Sequence, residues 1–578
     1  MCKKILEKKS LSVERPWLKY YPQQLQHMEI PNCSLSQYLK QSSTNPDDTV
    51  IEYYGNYLTW KDIFDQVDII AKAMKKLGCN EGEQIPVFLQ SVPEFVIILL
   101  AAEKIGAAVV CRDGLPEENA MAVKYTNSQI LFAHDYLPKE EEELYYKETN
   151  LKHIIKISPY NMAKKSEMPS YIIDNIESKY AEKVVYSSTD LTWEALKSIG
   201  AEYEGEYEAS FNPSRAVFCA YTSGTTGPSK QVIHSAAGIV GMMHQTAVFT
   251  AGIDLRLTWL TTCLPPALVA ATVSMILTPM ASNKLLYLDP FCLISDLDLE
   301  LMRYNPNCWA LIPQFTEVLV NSERIPQDFS LENLYCVGSG AESLNNKQIR
   351  NIQRFLKNHK CNAYFSVGYG MSEGGSGFTI PCEGKSLENC CCGIPMPSTT
   401  IGIFNSSTNE EVEAGTIGEI CKSGAGIMLS FQDEESTRKV LKCHKDGKVW
   451  IHTGDYGYMT KEGILYVMGR GLRERATGGY LFPVPMENKV VDLEGVRDAF
   501  FVIVPDLENE GYYLPYLYLV LEEGTSLEKV REPIYNALQP HERPVEIILI
   551  DKRPYFHFKT NRRGLGEKII RSAIQKRK

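Results

Sequence analysis

Between residues 60 and 77 the apolar side chains Ile63, Phe64, Val67, Ile70, Ala71, Met74 and Leu77 recur every three or four positions. That period places them on one face of a helix. Thr59 precedes the run with Asp62 at N3, a capping-box pair, and Gly78 supplies the stop. The pattern then changes to short apolar runs at 85–89, 107–110, 130–133 and 154–157, separated by helical or polar stretches. This alternation predicts an α/β fold with a largely parallel sheet. The apolar segment 95–111 carries Glu103 and Lys104 and is too short to span a bilayer, so it reads as a buried helix running into a strand. The charge run 139–144 reads as a solvated insertion.

From 415 to 469 the pattern becomes short strands with turn signals such as Lys461-Glu462-Gly463. After Arg470, strands at 500–504, 516–521 and 547–550 alternate with amphipathic helices, which predicts a small α+β domain joined at Gly471-Leu472. A chain of 578 residues exceeds one hydrophobic core, in line with several units.

Net charge of −11 argues against general nucleic-acid binding, and the basic residues Arg562, Arg563, Arg571, Lys576, Arg577 and Lys578 read as a solvated tail. The start, Met1-Cys2-Lys3-Lys4, lacks the apolar core of a signal peptide. Sixteen cysteines, including Cys390-Cys391-Cys392, show no zinc-type double pair, so reduced structural thiols in a cytoplasmic setting are expected.

Candidate chemistry concentrates in five places. The segment YTSGTTGPSK at 221–230 follows an apolar strand at 216–221 and brings together glycines, hydroxyls and Lys230. Glycines let backbone N–H groups converge, so this is a polyphosphate cradle, although the Gly-Lys pair of a P-loop is missing. GYGMSE at 368–373 follows a strand at 364–367; its aromatic can stack on a purine and its carboxylate can hold Mg²⁺. WIHTGD at 450–455 ends on an Asp able to accept from a ribose diol, and Arg470 can reach the same ribose or a phosphate. Lys559, near the end, can enter such a site only if the small domain closes over the large one.

In this order the motifs resemble the adenylate-forming superfamily, which includes acyl-CoA synthetases, peptide-synthetase adenylation domains and luciferases. The resemblance implies an N-terminal adenylation domain of α/β subdomains plus a β-rich subdomain, residues 1–470, and a mobile C-terminal lid, residues 471–578. It also implies two half-reactions: a carboxylate attacks the α-phosphate of ATP, then a thiol attacks the acyl-adenylate. Thr222, Ser223, Gly224, Thr225, Thr226, Gly227 and Lys230 would hold the β- and γ-phosphates. Gly340, Ala341 and Glu342 would line adenine, with Tyr369 stacked on it beside Gly370 and Ser372. Asp455 and Arg470 would bind ribose, Glu373 with Thr225 would hold Mg²⁺, and Lys559 would bridge the carboxylate and the α-phosphate.

The chain departs from the family pattern at Phe558, where the lid lysine usually follows glycine, at the hinge position Leu472, in the loop 473–479, and at Ser430-Phe431 in place of Gly-Tyr. Lys552 is the weaker alternative to Lys559. These changes bear on the second half-reaction more than on ATP binding. The segment 263–280, where the acyl pocket of the family begins, holds no acidic residue, which disfavours an α-amino acid because its ammonium would be buried unpaired. Pro265, Pro266, Ala267, Leu268, Gln314, Ser339 and Gly368, with the segment 309–313, are expected wall positions, each of them also explicable as core. The favoured reading is an ATP-, Mg²⁺- and CoA-dependent ligase of a hydrophobic carboxylic acid. Two alternatives stand beside it: an acyl-AMP ligase that loads a carrier-protein phosphopantetheine, and a non-catalytic nucleotide-binding relative.

Overall fold

The structure is a computed structural model that describes residues 10–43, 45–147, 149–180, 187–222, 229–246, 256–382, 384–473 and 479–577. The amphipathic run is the helix Trp60–Lys76, with the Thr59–Asp62 capping box closed in both directions. Its apolar face packs on the helices Pro93–Lys104 and Trp193–Ala201. Pro93–Lys104 is apolar all round because it is buried all round, from Phe95 to Ala102 at 0% exposure. Leu99→Ala there leaves a cavity with no surface to collapse onto, and a loss of about 2–5 kcal/mol is expected in urea unfolding.

Two sheets flank this core. One has eight strands, with Ala108–Cys111, Gln84–Phe88, Ile130–His134, His153–Ile157 and Leu191–Thr192 all parallel to Ala216–Tyr221; Gln231–Ser235 and, outside it, the edge strand Ser430–Phe431 run antiparallel to their neighbours. The other has seven strands and is parallel from Phe365–Val367 through Cys336–Ser339, Cys308–Leu311, Thr258–Thr261 and Leu285–Leu288 to Thr49–Tyr53. A third, antiparallel sheet contains Cys391–Pro395, Thr399–Phe404, Gly418–Gly424, Val449–Met459 and Leu465–Arg470. It closes its own core, into which the early residues Trp17 and Tyr21 pack. The C-terminal domain is a three-stranded sheet, Val496–Pro505, Tyr513–Leu521 and Glu546–Leu549, with the helices Pro483–Val491, Leu527–Ala537 and Arg562–Arg577. The fold is therefore mixed α/β, with a large N-terminal part and a C-terminal α+β domain.

Two sequence expectations change. The charge run lies in the helix Lys139–Tyr146: Tyr145 is buried, and Glu142 pairs at 2.5 Å with the buried Lys156. The basic tail is also a helix, and Arg562 at its start is ion-paired with Glu342 and Glu487 rather than solvated. Every cysteine among the described residues is a free thiol. No helix among them is long and apolar enough to cross a membrane.

Candidate active site

Four adjacent parallel strands deliver their carboxyl ends to one edge, the usual place for a ligand in such a sheet. Thr258–Thr261 leads into Pro265–Leu268, Cys308–Leu311 into Gln314, Cys336–Ser339 into Gly340, and Phe365–Val367 into Gly368. Leu311, Ser339 and Val367 stand in register. The Gly368 N–H donates to Ser339 O at 2.9 Å, while the buried Ser339 Oγ has no partner among the described residues. Leu264 to Ala267 are buried, and Thr272 Oγ1 fastens the loop by donating to Pro266 O at 2.9 Å. The chain then enters a wide π-helical stretch, Ala271–Leu277.

The turn that carries Glu373 is held from beneath. His234, fully buried, is pushed down to about 4 by burial, and its Nε2–H donates to Ser372 O at 2.8 Å. The buried Lys422, pushed down to about 7 by burial, donates to Gly374 O at 3.3 Å and to Ala425 O. The Met428 N–H donates to Glu373 O at 2.9 Å, and Ser274 and Ser376 hydroxyls meet at 2.6 Å, joining the pocket segment to the turn. Burial raises the Glu373 carboxyl, Arg470 and Lys559 oppose that, and Asp455 adds to it. Gly370 allows the tight approach: a Cβ there would lie 2.1 Å from Ser376 O. Gly370→Ala must therefore move the turn, and a loss of about 10²-fold in turnover is expected with secondary structure unchanged by circular dichroism.

Asp455 faces this turn from the antiparallel sheet. Its Oδ2 accepts from Tyr369 Oη at 2.8 Å, and its Oδ1 pairs with Arg470 Nε at 2.9 Å, the two residues being cross-strand partners. Burial, then the Asp455 charge, push the Tyr369 phenol well above its usual value, so it stays a neutral donor. Behind Asp455, Glu419 accepts from the Gly454 N–H at 3.0 Å and pairs with His452 Nδ1 at 2.9 Å, whose Nε2 lies 2.9 Å from His444 Nε2. Gly454 sits at φ 70°, and a Cβ there would stand 2.7 Å from Arg470 Nη1. Sequence reasoning missed Glu419 and His452 as supports, although His452 lies inside the quoted motif.

The segment expected to cradle polyphosphate joins the antiparallel strands Ala216–Tyr221 and Gln231–Ser235. Its base is clamped: the Thr222 N–H donates to Lys230 O at 2.9 Å, the Lys230 N–H to Thr222 Oγ1 at 3.0 Å, and Ser229 Oγ to Thr222 O at 2.6 Å. Lys230 Nζ stands 5.2 Å from the ring centre of Phe431, so one departure from the family pattern touches this lysine. Ser223, Gly224, Thr225, Thr226 and Gly227 lie outside the described residues.

The C-terminal domain brings Lys559 within electrostatic reach of Glu373, Asp455 and Arg470. Burial lowers the Lys559 ammonium from its ordinary value; Glu342, Asp455 and Glu373 act against that and Arg470 with it. Lys559 follows a two-residue hairpin turn, His557-Phe558, at φ 44° and 65° between the paired segments Tyr555–Phe556 and Lys559–Thr560. Both turn residues are left-handed, a conformation that favours glycine. Phe558 adopts it at a cost of about 1–2 kcal/mol and packs its ring against the main core of the N-terminal part. Lys552 lines a separate cleft with Glu317, Lys347 and Arg497.

Glu342, expected at adenine, has its carboxylate turned toward the C-terminal domain. Its Oε2 accepts from the Thr560 N–H at 2.9 Å and from Thr560 Oγ1 at 3.1 Å, and its Oε1 pairs with Arg562 Nη1. Ala341 before it holds φ 68°. Together Glu373, Asp455, Glu342, Arg470 and Lys559 interact through their charges, with the buried Tyr369 phenol bonded to Asp455, an arrangement suited to an anionic ligand with hydroxyls.

The profile of the AMP-binding enzyme family matches residues 39–431. The long-chain-fatty-acid–CoA ligase of Bacillus subtilis is 24% identical over 542 residues, which is 92% of this chain and 94% of that one. A 4-coumarate–CoA ligase of Nicotiana tabacum is 22% identical over 519 residues, 86% of this chain and 87% of that one. Among solved structures, an anthranilate–CoA ligase in complex with anthranoyl-AMP superposes with a TM-score of 0.76 at 17% identity, over 95% of this chain and 99% of the other. The chain belongs to the AMP-binding enzyme family, within the adenylate-forming superfamily.

Proposed function

We propose that this enzyme activates a hydrophobic carboxylic acid as its acyl-adenylate, using ATP, and transfers the acyl group to the thiol of CoA. One observation carries the reading. Lys559, from residues 471–578 acting as a lid, enters the same electrostatic neighbourhood as Glu373, Asp455 and Arg470 from residues 1–470. Adenylation brings a carboxylate against the α-phosphate, and a cation between those two anions offsets their repulsion. In this reading Asp455 and Arg470 hold ribose and the Tyr369 ring faces adenine beside Gly340, Ala341, Gly370 and Ser372. Lys230 and the loop from Thr222 grip the leaving pyrophosphate.

Hard oxygen donors from Glu373 and Thr225 suit Mg²⁺. The burial-raised Glu373 carboxyl fits a place where a cation and phosphates share the charge. When bound, Mg²⁺ would neutralise phosphate oxygens. The acid would lie along Pro265, Pro266, Ala267, Leu268, Gln314, Ser339 and Gly368. An α-amino acid is expected to have kcat/KM about 10²-fold below its desamino analogue, since nothing acidic in 263–280 pairs the ammonium. Both kcat/KM values come from pyrophosphate release, and a preference for the amino acid would contradict this pocket.

The thiol half is tested by supplying ATP, Mg²⁺ and a panel of acids, then CoA or a phosphopantetheinylated carrier protein separately. Acyl-CoA is the expected product. Product with the carrier alone would replace CoA as acceptor, and no pyrophosphate release with any acid would remove the whole reading.

A further inference from the structure

The segment just after the strand Cys336–Ser339 is the seat of the C-terminal domain. Asn345 Nδ2 donates to Asp498 Oδ1 at 3.0 Å, the Asn346 N–H donates to Asn488 Oδ1 at 2.9 Å, and Lys347 Nζ reaches Val496 O and Glu522 Oε1, each at 2.6 Å. Tyr555 Oη donates to Glu317 Oε2 at 2.6 Å nearby. These contacts dock the domain, but none touches the short strand that presents Lys559. Glu342 does: it binds Thr560 immediately after the lysine and Arg562 three positions on. Arg562 is itself fixed, with Nη2 on Glu487 Oε1 at 2.9 Å and Nε on Phe501 O at 3.3 Å, and Glu487 Oε1 also accepts from the Phe501 N–H at 3.0 Å. On the other side of the lysine, Phe558 is wedged against the core of the N-terminal part. Lys559 is therefore held at both flanks.

Resting on the adenylation reading above, we propose that Glu342 is a positioning residue: its carboxylate clamps Thr560 and Arg562 and so aims Lys559 into the site for the adenylation half-reaction. Several features support the clamp over a chance surface pair. Burial alone would raise the Glu342 carboxyl, yet Arg562, the Thr560 N–H and Arg553 together hold it below the usual carboxylate range. The clamp is thus ionised at neutral pH. Glu342 also heads the charges that hold up the protonation of Lys559, ahead of Asp455 and Glu373. One side chain in the nucleotide-facing loop therefore controls both where the lysine sits and how readily it stays charged. Because the clamp spans the two domains, it breaks whenever the lid leaves.

The test separates the half-reactions. Glu342→Gln, nearly isosteric, loses the ion pair to Arg562 while an amide oxygen can still accept from Thr560; Glu342→Asp keeps the charge. Acyl-adenylate formation is followed as hydroxamate, and thioester formation is followed from synthetic acyl-adenylate and CoA. The expected result for Glu342→Gln is a fall in adenylation of about 10- to 100-fold relative to thioester formation, the range for losing a charge-assisted bond. Its alkaline limb of adenylation moves to lower pH, and Glu342→Asp recovers part of both effects. Adenylation within threefold of wild type and an unmoved limb would overturn the proposal. So would an equal loss in both half-reactions, which marks a merely structural role. Absence of hydroxamate with the wild-type enzyme would instead overturn the adenylation reading itself.

Discussion

Lys559→Met is expected to lower acyl-adenylate formation about 10³-fold while leaving ATP binding within a few-fold, because in the proposed reaction it removes one fixed positive charge from the place where two anions meet. Methionine keeps the unbranched apolar stem of lysine and is one atom shorter, so the hairpin and the Phe558 contact should persist. Isothermal titration reads ATP affinity, and hydroxamate trapping reads the chemistry. The wild-type pH profile gives a second reading of the same residue. Burial lowers the Lys559 ammonium, so its proton is lost at a lower pH than that of a free lysine. Adenylation therefore declines as pH rises through that lowered pKa and is sustained below it. The Lys559→Met variant should lack this limb. Activity of the variant near that of wild type would show that the lysine is placed there for another purpose.

The second large effect is expected at Asp455. Its two oxygens are already committed to Tyr369 and Arg470, so the acceptor is oriented before any ligand arrives. In the proposed reading, Asp455→Ala removes the ribose acceptor, and it releases both partners. Two charge-assisted hydrogen bonds at about 1.5–3 kcal/mol each correspond to about 10²- to 10⁴-fold in kcat/KM for ATP. KM for the acid should move little. If ATP kinetics stay within threefold, the diol does not bind at Asp455. Glu419→Gln offers a milder comparison, since it weakens the support under Gly454 and His452 without touching the ligand side.

Much of the framework is legible in one sequence because local rules agree with the tertiary outcome. The Thr59–Asp62 box, the strand at Ala216–Tyr221 and the turn at Gly78 all follow from spacing and cap chemistry. Tyr369, Asp455 and Arg470 could be named from motifs, and they do come together, although they lie far apart in the chain. What was not legible is long-range and pairwise. The run of glutamates before Leu144 looks solvated until the buried Lys156 is seen to need Glu142. Arg562 looks like part of a basic tail until Glu342 and Glu487 claim it. Glu342 has the sequence position of a nucleotide-loop residue, and nothing local shows that its side chain turns toward another domain. Phe558 is a different case: the departure from glycine was visible, but its reason is a left-handed turn balanced by packing on the core of the N-terminal part.

The central claim is that the acid attacks the α-phosphate of ATP. It is tested most directly by turning over a carboxylate labelled with ¹⁸O in both oxygens, in unlabelled water, with ATP, Mg²⁺ and CoA. Attack at the α-phosphate followed by thiolysis leaves one acid-derived ¹⁸O in the phosphate of AMP. The account predicts AMP carrying one label. Unlabelled AMP, or ADP and inorganic phosphate in its place, would contradict it.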